Sequence, residues 1–275
     1  MTFSIVARSA DGTSFGVAVA SKFLAVGAAV PAAEAGVGAL ATQSYANLGY
    51  KRDGLAQLRV GRTAQLTLDT LVAADDQRAS RQVGIVDAAG AAATFTGTEC
   101  HPWAGGRTGD GYAVQGNILV GPEVVDAMEE AWRQSSPDAP LAQRLLAALT
   151  AGDDAGGDRR GRQSASLLVV TPDGGYGGGS DVLVDLRVDD HPAPVGELAR
   201  LLDLHDLYFG KPDPDTLLAL DGDVATEVRA LLAGRGFTDD DLDAALAGWA
   251  GVENYEERLV PGRIDPLVLA KLREA

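Results

Sequence analysis

The sequence predicts an α+β fold in which antiparallel sheets are covered by helices. Three pairs of short apolar runs are each separated by a tight turn, as in β-hairpins. Segments with apolar residues at helical spacing lie between these hairpins. Strands joined by short turns are antiparallel, and helices placed between them favour layers of helix on sheet.

Each predicted hairpin has turn-forming residues between its two apolar runs. The turns are Asp11-Gly12, Ala88-Ala89-Gly90 and Pro172-Asp173-Gly174-Gly175. The paired runs are 3–7 with 15–20, 83–86 with 92–96, and 167–170 with 183–188. The intervening helices are predicted over 63–74, 123–134, 141–150 and 195–207, with Thr63 as a cap and Pro122 in a first turn. We expect Asp189, Asp190 and His191 to cap the last of these rather than bind a metal.

A break rich in proline at 210–214 divides the chain into predicted domains 1–210 and 211–275. Of the 34 glycines, 28 lie in the first part and 6 in the second. The second part contains three helical segments, at 224–233, 238–249 and 265–272, with Thr238 expected to cap the middle one. Trp249 shares a helix face with Leu242 and Leu246, which favours a place in the core.

Composition excludes several classes of protein. The 23 Lys and Arg against 39 Asp and Glu give a net charge of −16, which argues against nucleic acid or an anionic membrane as the main partner. One Cys excludes an intrachain disulfide, and three His make a zinc site unexpected. The glycine-rich segment 174–181 lacks P-loop spacing, so we expect no cofactor and no metal. We find neither a secretory signal nor a membrane span and expect a cytoplasmic homodimer, since dimers are the commonest oligomers.

Thr2 is the first candidate catalytic residue. A small second residue permits removal of the initiator Met, which leaves Thr2 with a free α-amino group. An amine with a pKa near ~7.7–8.0 suits a general base that activates the Thr hydroxyl. The alternative is that Thr2 simply begins a strand.

Lys22 follows directly after a second apolar strand that is expected to pair with the first. A partly buried Lys at that strand end would lower the pKa of a neighbouring hydroxyl. The alternative is a solvated strand end. Thr2 and Lys22 together resemble the N-terminal nucleophile hydrolases, including proteasome-type subunits, which begin with a catalytic Thr, Ser or Cys on the first strand.

A closer resemblance extends over residues 1–210. It rests on TFSIVA (2–7), VAVASKFLAVG (17–27), ATQSYAN (41–47), AVQGNIL (113–119), GGDRRG (156–161) and VDLRVDDHP (184–192). These motifs resemble a bacterial family of unassigned function whose fold is grouped with the N-terminal nucleophile hydrolases. The resemblance implies a four-layer αββα sandwich more firmly than it implies a reaction.

Polar residues within these motifs are candidates for a site. Gln115 and Asn117 flank a glycine and offer amides for an oxyanion hole, or alternatively a turn that satisfies local backbone. The remaining candidates for substrate binding are Ser21, Gln43, Tyr45, Asn47 and Trp103. Gln43, Tyr45 and Asn47 follow an apolar strand, where they orient a small substrate or start a loop. Cys100 beside His101 is a weak candidate dyad, because adjacent side chains rarely point the same way.

The segment 156–164 places three arginines in a glycine-flanked loop of an acidic protein. Arg binds carboxylates in a bidentate manner, so Arg159 and Arg160 are candidates for an anion site, with Asp158 fixing their geometry. An internal salt-bridged loop is the alternative.

The C-terminal part carries a resemblance of its own. The motif GWAGVENYEER (248–258) with IDP (264–266) resembles a domain family named for peptidoglycan binding, which follows some members of the first family. That resemblance implies a cell-wall fragment as a partner, and Trp249 or Tyr255 as sugar-stacking residues. The missing secretory signal conflicts with a cell-wall ligand.

Three functional hypotheses follow. In the first, Thr2 attacks an amide bond of a small molecule or peptide, Lys22 assists electrostatically, and Gln115 or Asn117 stabilises the oxyanion. In the second, the protein is a non-catalytic scaffold that binds a ligand or a peptidoglycan fragment. In the third, Ser4 or Ser21 pairs with Lys22 as an internal nucleophile.

Overall fold

The computed structural model describes residues 2–274, in two compact units, Met1–Leu202 and Asp203–Ala275. The N-terminal unit holds ten strands, five complete helices and the first part of a sixth helix. The strands are β1 Thr2–Arg8, β2 Phe15–Ser21, β3 Pro31–Glu34, β4 Gly38–Ser44, β5 Arg81–Asp87, β6 Ala92–Thr96, β7 Gly105–Gly109, β8 Tyr112–Asn117, β9 Ser164–Val170 and β10 Val182–Val188. The helices are α1 Val26–Ala29, α2 Gly49–Arg59, α3 Ala64–Ala73, α4 Glu123–Gln134, α5 Leu141–Asp154 and α6 Pro194–Phe209.

The ten strands form two antiparallel sheets. The larger sheet has the order β10-β9-β2-β1-β8-β7, and the smaller has the order β3-β4-β5-β6. The central strand β1 pairs with β2 on one side and with β8 on the other. All three predicted hairpins are present, as β1–β2, β5–β6 and β9–β10.

Alternation along the strands separates three apolar layers. Phe3 and Ile5 face a core that contains α4 and α5, whereas Val6 faces a core between the sheets together with Val17 and Val19. A third core lies between β4, β5 and the helices α2 and α3. The layers therefore run helix, sheet, sheet, helix, which confirms the αββα fold.

Several elements of this unit were not predicted from the sequence, namely the strands β3, β7 and β8 and the helices α1 and α2. β3 is only four residues long, and β7 begins with two glycines, so neither has a clear strand pattern. α2 contains Gly54, which lowers helix propensity. A Cβ at Gly54 would lie 2.5 Å from Cδ2 of Leu40, so close packing of α2 on β4 requires the glycine.

The C-terminal unit contains α7 Gly222–Ala233, α8 Leu242–Glu253 and α9 Pro266–Glu274, with a short pair of strands, β11 Leu218–Ala219 and β12 Arg263–Ile264. Asp241, not Thr238, caps α8, because its carboxylate accepts a hydrogen bond from the Asp243 N–H. Trp249 is 2% exposed and lies in the core, as its spacing predicts. Tyr255 is also buried, which does not fit the expected sugar-stacking role of either ring.

The end of α6 places the boundary eight residues before the predicted one. Leu207 is buried in the C-terminal core, with Leu204 and Tyr208 packed against it. The proline-rich segment 210–214 therefore follows the end of α6, and the last turns of that helix already belong to the C-terminal unit. Within residues 2–274, no helix is both long enough and apolar enough to cross a membrane.

A buried ion pair holds the C-terminal unit together. The Arg258 guanidinium donates to the Asp265 carboxylate at 2.6 Å, to the Leu207 carbonyl at 2.6 Å and to the Asp206 carbonyl. Both charged side chains are less than a tenth exposed. Removal of one partner leaves the other charge buried without compensation.

We expect Asp265→Ala to lower the free energy of unfolding of the C-terminal unit by about 3–5 kcal/mol, because Arg258 stays buried. Lys211→Ala, which breaks the exposed pair of Lys211 with Glu257, is the matched control and should cost under about 1 kcal/mol. Urea unfolding followed by the Trp249 indole N–H resonance, assigned by its loss in Trp249→Phe, measures both. Equal costs for the two variants would contradict the assignment.

Candidate active site at the start of the first strand

Thr2 begins the central strand at one end of the sandwich. Its side chain is 6% exposed, and its Oγ1 lies 3.1 Å from Oγ of Ser21 on β2. On the other side Thr2 pairs in register with Asn117, the last residue of β8. The strand order thus places Ser21 and Asn117 on either side of Thr2, as the sequence hypothesis needs.

The same end of the sandwich carries unusual backbone. Ala25, Ser44 and Ile118 have φ of 51°, 68° and 51°, a region that non-glycine residues seldom adopt. Ser44 is the last residue of β4, and Ala25 and Ile118 lie four residues and one residue beyond the ends of β2 and β8. Strained backbone of this kind clusters at functional sites, so three loops converging here support this end as the site.

Buried amides behind Thr2 link the two sheets, and Gln82 on β5 determines their orientation. The Gln82 Nε2 donates to the carbonyls of Gly116 at 2.7 Å and Gly105 at 3.2 Å. A carbonyl oxygen can only accept, so this nitrogen cannot exchange places with Oε1. Gln82 Oε1 must then accept, and it does so from Nε2 of Gln43 at 2.8 Å and Nδ2 of Asn117 at 2.9 Å.

The orientation of Gln82 determines the orientations of its hydrogen-bond partners by the same reasoning. Gln43 directs its Nε2 at the Thr2 carbonyl, 3.3 Å away, so its Oε1 accepts from the Ser4 hydroxyl at 2.7 Å. Ser4 Oγ in turn accepts from Nε2 of Gln115 at 2.7 Å. Every bond in this network has a fixed donor, and Ser4, Gln43, Gln82, Gln115 and Asn117 are each at most 1% exposed.

Two oxygens of the network have no hydrogen-bond donor. They are Oε1 of Gln115 and Oδ1 of Asn117, both buried. The Gln115 oxygen packs on Gly84, where a Cβ would lie 2.0 Å from it. A buried acceptor without a donor costs free energy, so each needs a local reason.

Some predicted roles do not fit this geometry. Gln115 directs its amide N–H groups at the hydroxyl and the carbonyl of Ser4, so it has no N–H left for an oxyanion. The Ser4 hydroxyl is buried and hydrogen-bonded on both sides, which removes it as an internal nucleophile. Lys22 is exposed rather than partly buried, and its ammonium donates to the Arg162 carbonyl at 3.2 Å. Local sequence does not determine which way a long side chain at a strand end turns.

Asp158 holds the cationic loop against the site. Its buried carboxylate accepts from the backbone N–H of Lys22 at 2.7 Å and from that of Arg160 at 2.8 Å. The Arg160 guanidinium also contacts Asp158, at 3.3 Å, while Arg159 is exposed and its N–H donates to the Ile118 carbonyl. The loop is internally salt-bridged and also lies beside the ends of β2 and β8.

The other predicted binding residues are distributed around this edge. Tyr45 is exposed, and its ring lies 6.1 Å from that of His101. Asn47 donates to the buried Asp75 carboxylate at 2.9 Å, so it anchors a loop. Trp103 is partly buried against the helix-facing core and covers Gly105.

Asp75 and Gln82 are the residues that sequence reasoning missed. A hydrogen bond from Arg81 holds the pKa of Asp75 well below its usual range, and burial with a bond to Asp75 raises that of Tyr50. Gln82 lies two residues before Gly84 on β5, so it shares that residue's face. The sequence signal that could have identified Gln82 was a glutamine on a strand face that must be buried.

Cys100 and His101 form no dyad. The thiol is buried and donates to the Arg81 carbonyl at 3.3 Å, while the imidazole is exposed. A cleft of about 490 Å³ lies elsewhere, between α3 and β6, and its lining includes Leu68, Asp69 and Phe95. None of the predicted site residues lines that cleft.

We expect Gly84→Ala to destabilise the N-terminal unit by about 1–3 kcal/mol, because its Cβ overlaps the Gln115 oxygen. In a Gln115→Ala background the same change should cost less, since the oxygen is gone. Thermal unfolding of the four proteins measures the coupling. Additive costs would show that the two residues do not interact.

Comparison with known proteins gives the family. The model described as "Family of unknown function (DUF1028)" matches residues 2–198, and the model described as "Putative peptidoglycan binding domain" matches residues 208–272. No match to a curated protein was found.

Two solved structures are similar to this chain. Protein SPO2555 from Silicibacter pomeroyi, described as a DUF1028 protein, is 32% identical with a TM-score of 0.67, covering 83% of this chain and 93% of that one. Anbu (ancestral beta-subunit) from Yersinia bercovieri is 13% identical with a TM-score of 0.37, covering 74% of this chain and 93% of that one. The extent of the family match and the identity to SPO2555 establish that the chain belongs to DUF1028, a family of unknown function.

Proposed function

We propose that this protein hydrolyses an amide bond of a small molecule or peptide, with Thr2 as the nucleophile after removal of Met1. The observation that carries the proposal is the Thr2 hydroxyl at the start of the central strand, 3.1 Å from the Ser21 hydroxyl and opposite Asn117. The state of Met1 lies outside the described residues and is part of the proposal.

The reaction needs a base, a nucleophile and an oxyanion donor. The freed α-amine takes the proton from Oγ1 as this oxygen attacks the amide carbonyl. The protonated amine then gives that proton to the leaving nitrogen as the C–N bond breaks. Water hydrolyses the resulting ester with the same amine as base, which restores Thr2. Asn117 Nδ2 has one N–H beyond the one given to Gln82, so it is the remaining predicted donor to the oxyanion.

The loops around Thr2 suggest the kind of substrate. Exposed apolar side chains follow the ends of β2, β4 and β8, namely Phe23, Leu24, Tyr45, Leu48 and Val120. Cations lie at the same edge, from Lys22 to the Arg159–Arg160 loop. An amide that carries an apolar group and a carboxylate, such as an N-acyl amino acid, suits both features. A cytoplasmic homodimer remains part of this proposal.

One observation favours the alternative of a non-catalytic binding protein. The Lys22 ammonium is bonded to Arg162 rather than directed at Thr2, so it assists only as positive charge at this edge. The match of residues 208–272 to a family named for peptidoglycan binding makes a wall fragment the ligand under this alternative.

The decisive experiment compares three N-termini. A cleavable tag yields protein that begins at Thr2, at Ser in Thr2→Ser, or at Ala in Thr2→Ala. With a panel of N-acyl amino acids and peptide amides, we expect turnover by Thr2 and Ser protein and a loss above about a thousandfold in Thr2→Ala.

Thr13→Ala, in an exposed loop, is the control and should keep full turnover. Intact mass of the untagged protein reports whether Met1 is removed. Equal turnover by Thr2→Ala protein, or by protein that retains Met1, would refute the nucleophile.

For the C-terminal unit, we expect the full chain to co-sediment with peptidoglycan and a chain that ends at Leu202 to lose at least about tenfold in bound fraction. Circular dichroism checks that the shortened chain stays folded. Trp249→Phe is the second variant; because this ring is buried, it should leave binding unchanged in folded protein. Equal sedimentation of long and short chains would remove this unit from the binding function.

A further inference from the structure

We propose that Asn117 is a positioning residue whose Oδ1 accepts a hydrogen bond from the freed α-amino group of Thr2. The inference rests on the proposed function for its meaning, since only removal of Met1 creates that amine. It adds a specific partner for the base, which the sequence did not assign.

First, Gln82 determines the direction of the Asn117 amide. Gln82 is fixed by the carbonyls of Gly105 and Gly116, so its Oε1 requires a donor from Asn117. Nδ2 of Asn117 must therefore face Gln82, and Oδ1 must face away from it. The orientation follows from backbone acceptors and does not depend on which amide atom was assigned as oxygen.

The second step is that this oxygen has no hydrogen-bond donor. Asn117 is 0% exposed, and Oδ1 is buried. An unpaired buried acceptor costs about 1–3 kcal/mol, whereas a Leu or Val at this position would avoid the cost. The residue is explained if a donor is present in the mature protein.

The third step is the position of Thr2. Residues paired in an antiparallel register project to the same face with Cβ atoms about 4.5–5.5 Å apart, and Thr2 pairs with Asn117. Both lie at the end of their strands, so a new chain terminus at Thr2 would begin beside the Asn117 amide. An amine donates two or three hydrogen bonds, which matches the missing donor.

The hydrogen bond would hold the buried amine of Thr2 in one orientation. An acceptor favours the ammonium form over the same group without a partner, so its loss should lower the pKa of the amine. The side chains of Ser21, Gln43 and Gln82 near Thr2 are uncharged. The charged groups on the flanking elements are Lys22 directly after β2, Asp158 and Arg160 in the loop before β9, and Arg81 on β5 with Asp75. These groups are shared by the variants below.

The experiment measures the amine directly. Protein that begins at Thr2 is produced by tag cleavage with 13C-labelled threonine, and the Thr2 resonance is assigned by its loss in Thr2→Ser. Titration of that resonance gives the pKa. We expect Asn117→Leu to lower it by about one pH unit.

Gln115→Leu is the control, because it removes the other open acceptor of the network and leaves the bond between Gln82 and Asn117 in place. We expect this variant to lose thermal stability while its amine pKa stays within a few tenths of the parent value. If Asn117→Leu fails to fold, Asn117→Ser supplies a shorter acceptor and should give a smaller shift.

An unchanged amine pKa in folded Asn117→Leu or Asn117→Ser, or an equal shift in Gln115→Leu, would overturn the inference. Absence of turnover by the parent protein would instead refute the proposed function while leaving the titration interpretable. In a protein that does turn over, the acidic limb of kcat/KM should move with the amine pKa.

Discussion

The site depends on two hydrogen bonds that Gln82 donates to the carbonyls of Gly105 and Gly116. These acceptors belong to paired residues of β7 and β8, while Gln82 belongs to β5, so the bonds join one sheet to the other. Because a carbonyl cannot donate, they fix the amide of Gln82. Gln43 and Asn117 then have one allowed orientation each, and Ser4 and Gln115 follow from Gln43.

A polar network of this kind between two sheets is unusual in a layer that is otherwise apolar. The same layer contains Val6, Val17 and Val19, which need no partners. The amides lie at the end of the sandwich where β1 begins. Gly84 has no side chain there, and the Gln115 oxygen occupies the space that a Cβ would need. A buried network specifies one arrangement when its members are satisfied. The network leaves two acceptors open, Gln115 Oε1 and Asn117 Oδ1, and of these two residues it is Asn117 that pairs with Thr2.

Sequence patterns predicted the features that depend on periodicity. Apolar runs bounded by turn residues predicted the strands of the three hairpins, and the spacing of Leu242, Leu246 and Trp249 predicted a buried Trp249. They did not predict β7, whose glycines carry no pattern, or the rotamer of Lys22, which tertiary contacts with Arg162 decide. Gln115 was predicted as an oxyanion donor, yet its amide N–H groups are donated to Ser4. The direction of an amide follows from partners distant in sequence, and no local pattern records it.

The net charge of −16 gains a specific meaning from Asp158. This buried carboxylate accepts two backbone N–H groups and thereby fixes a loop with exposed Arg159 and Arg160 beside the end of β2. An acidic surface repels anions in general, so a local cationic edge determines where an anionic ligand approaches. The carboxylate carries no substrate-binding role in this geometry, because its oxygens are directed at the protein backbone and at Arg160. Its effect is positional: it keeps the cations at the end of the sandwich where Thr2, Ser21 and Asn117 meet, and this is why one acidic residue accounts for the placement of this cationic edge.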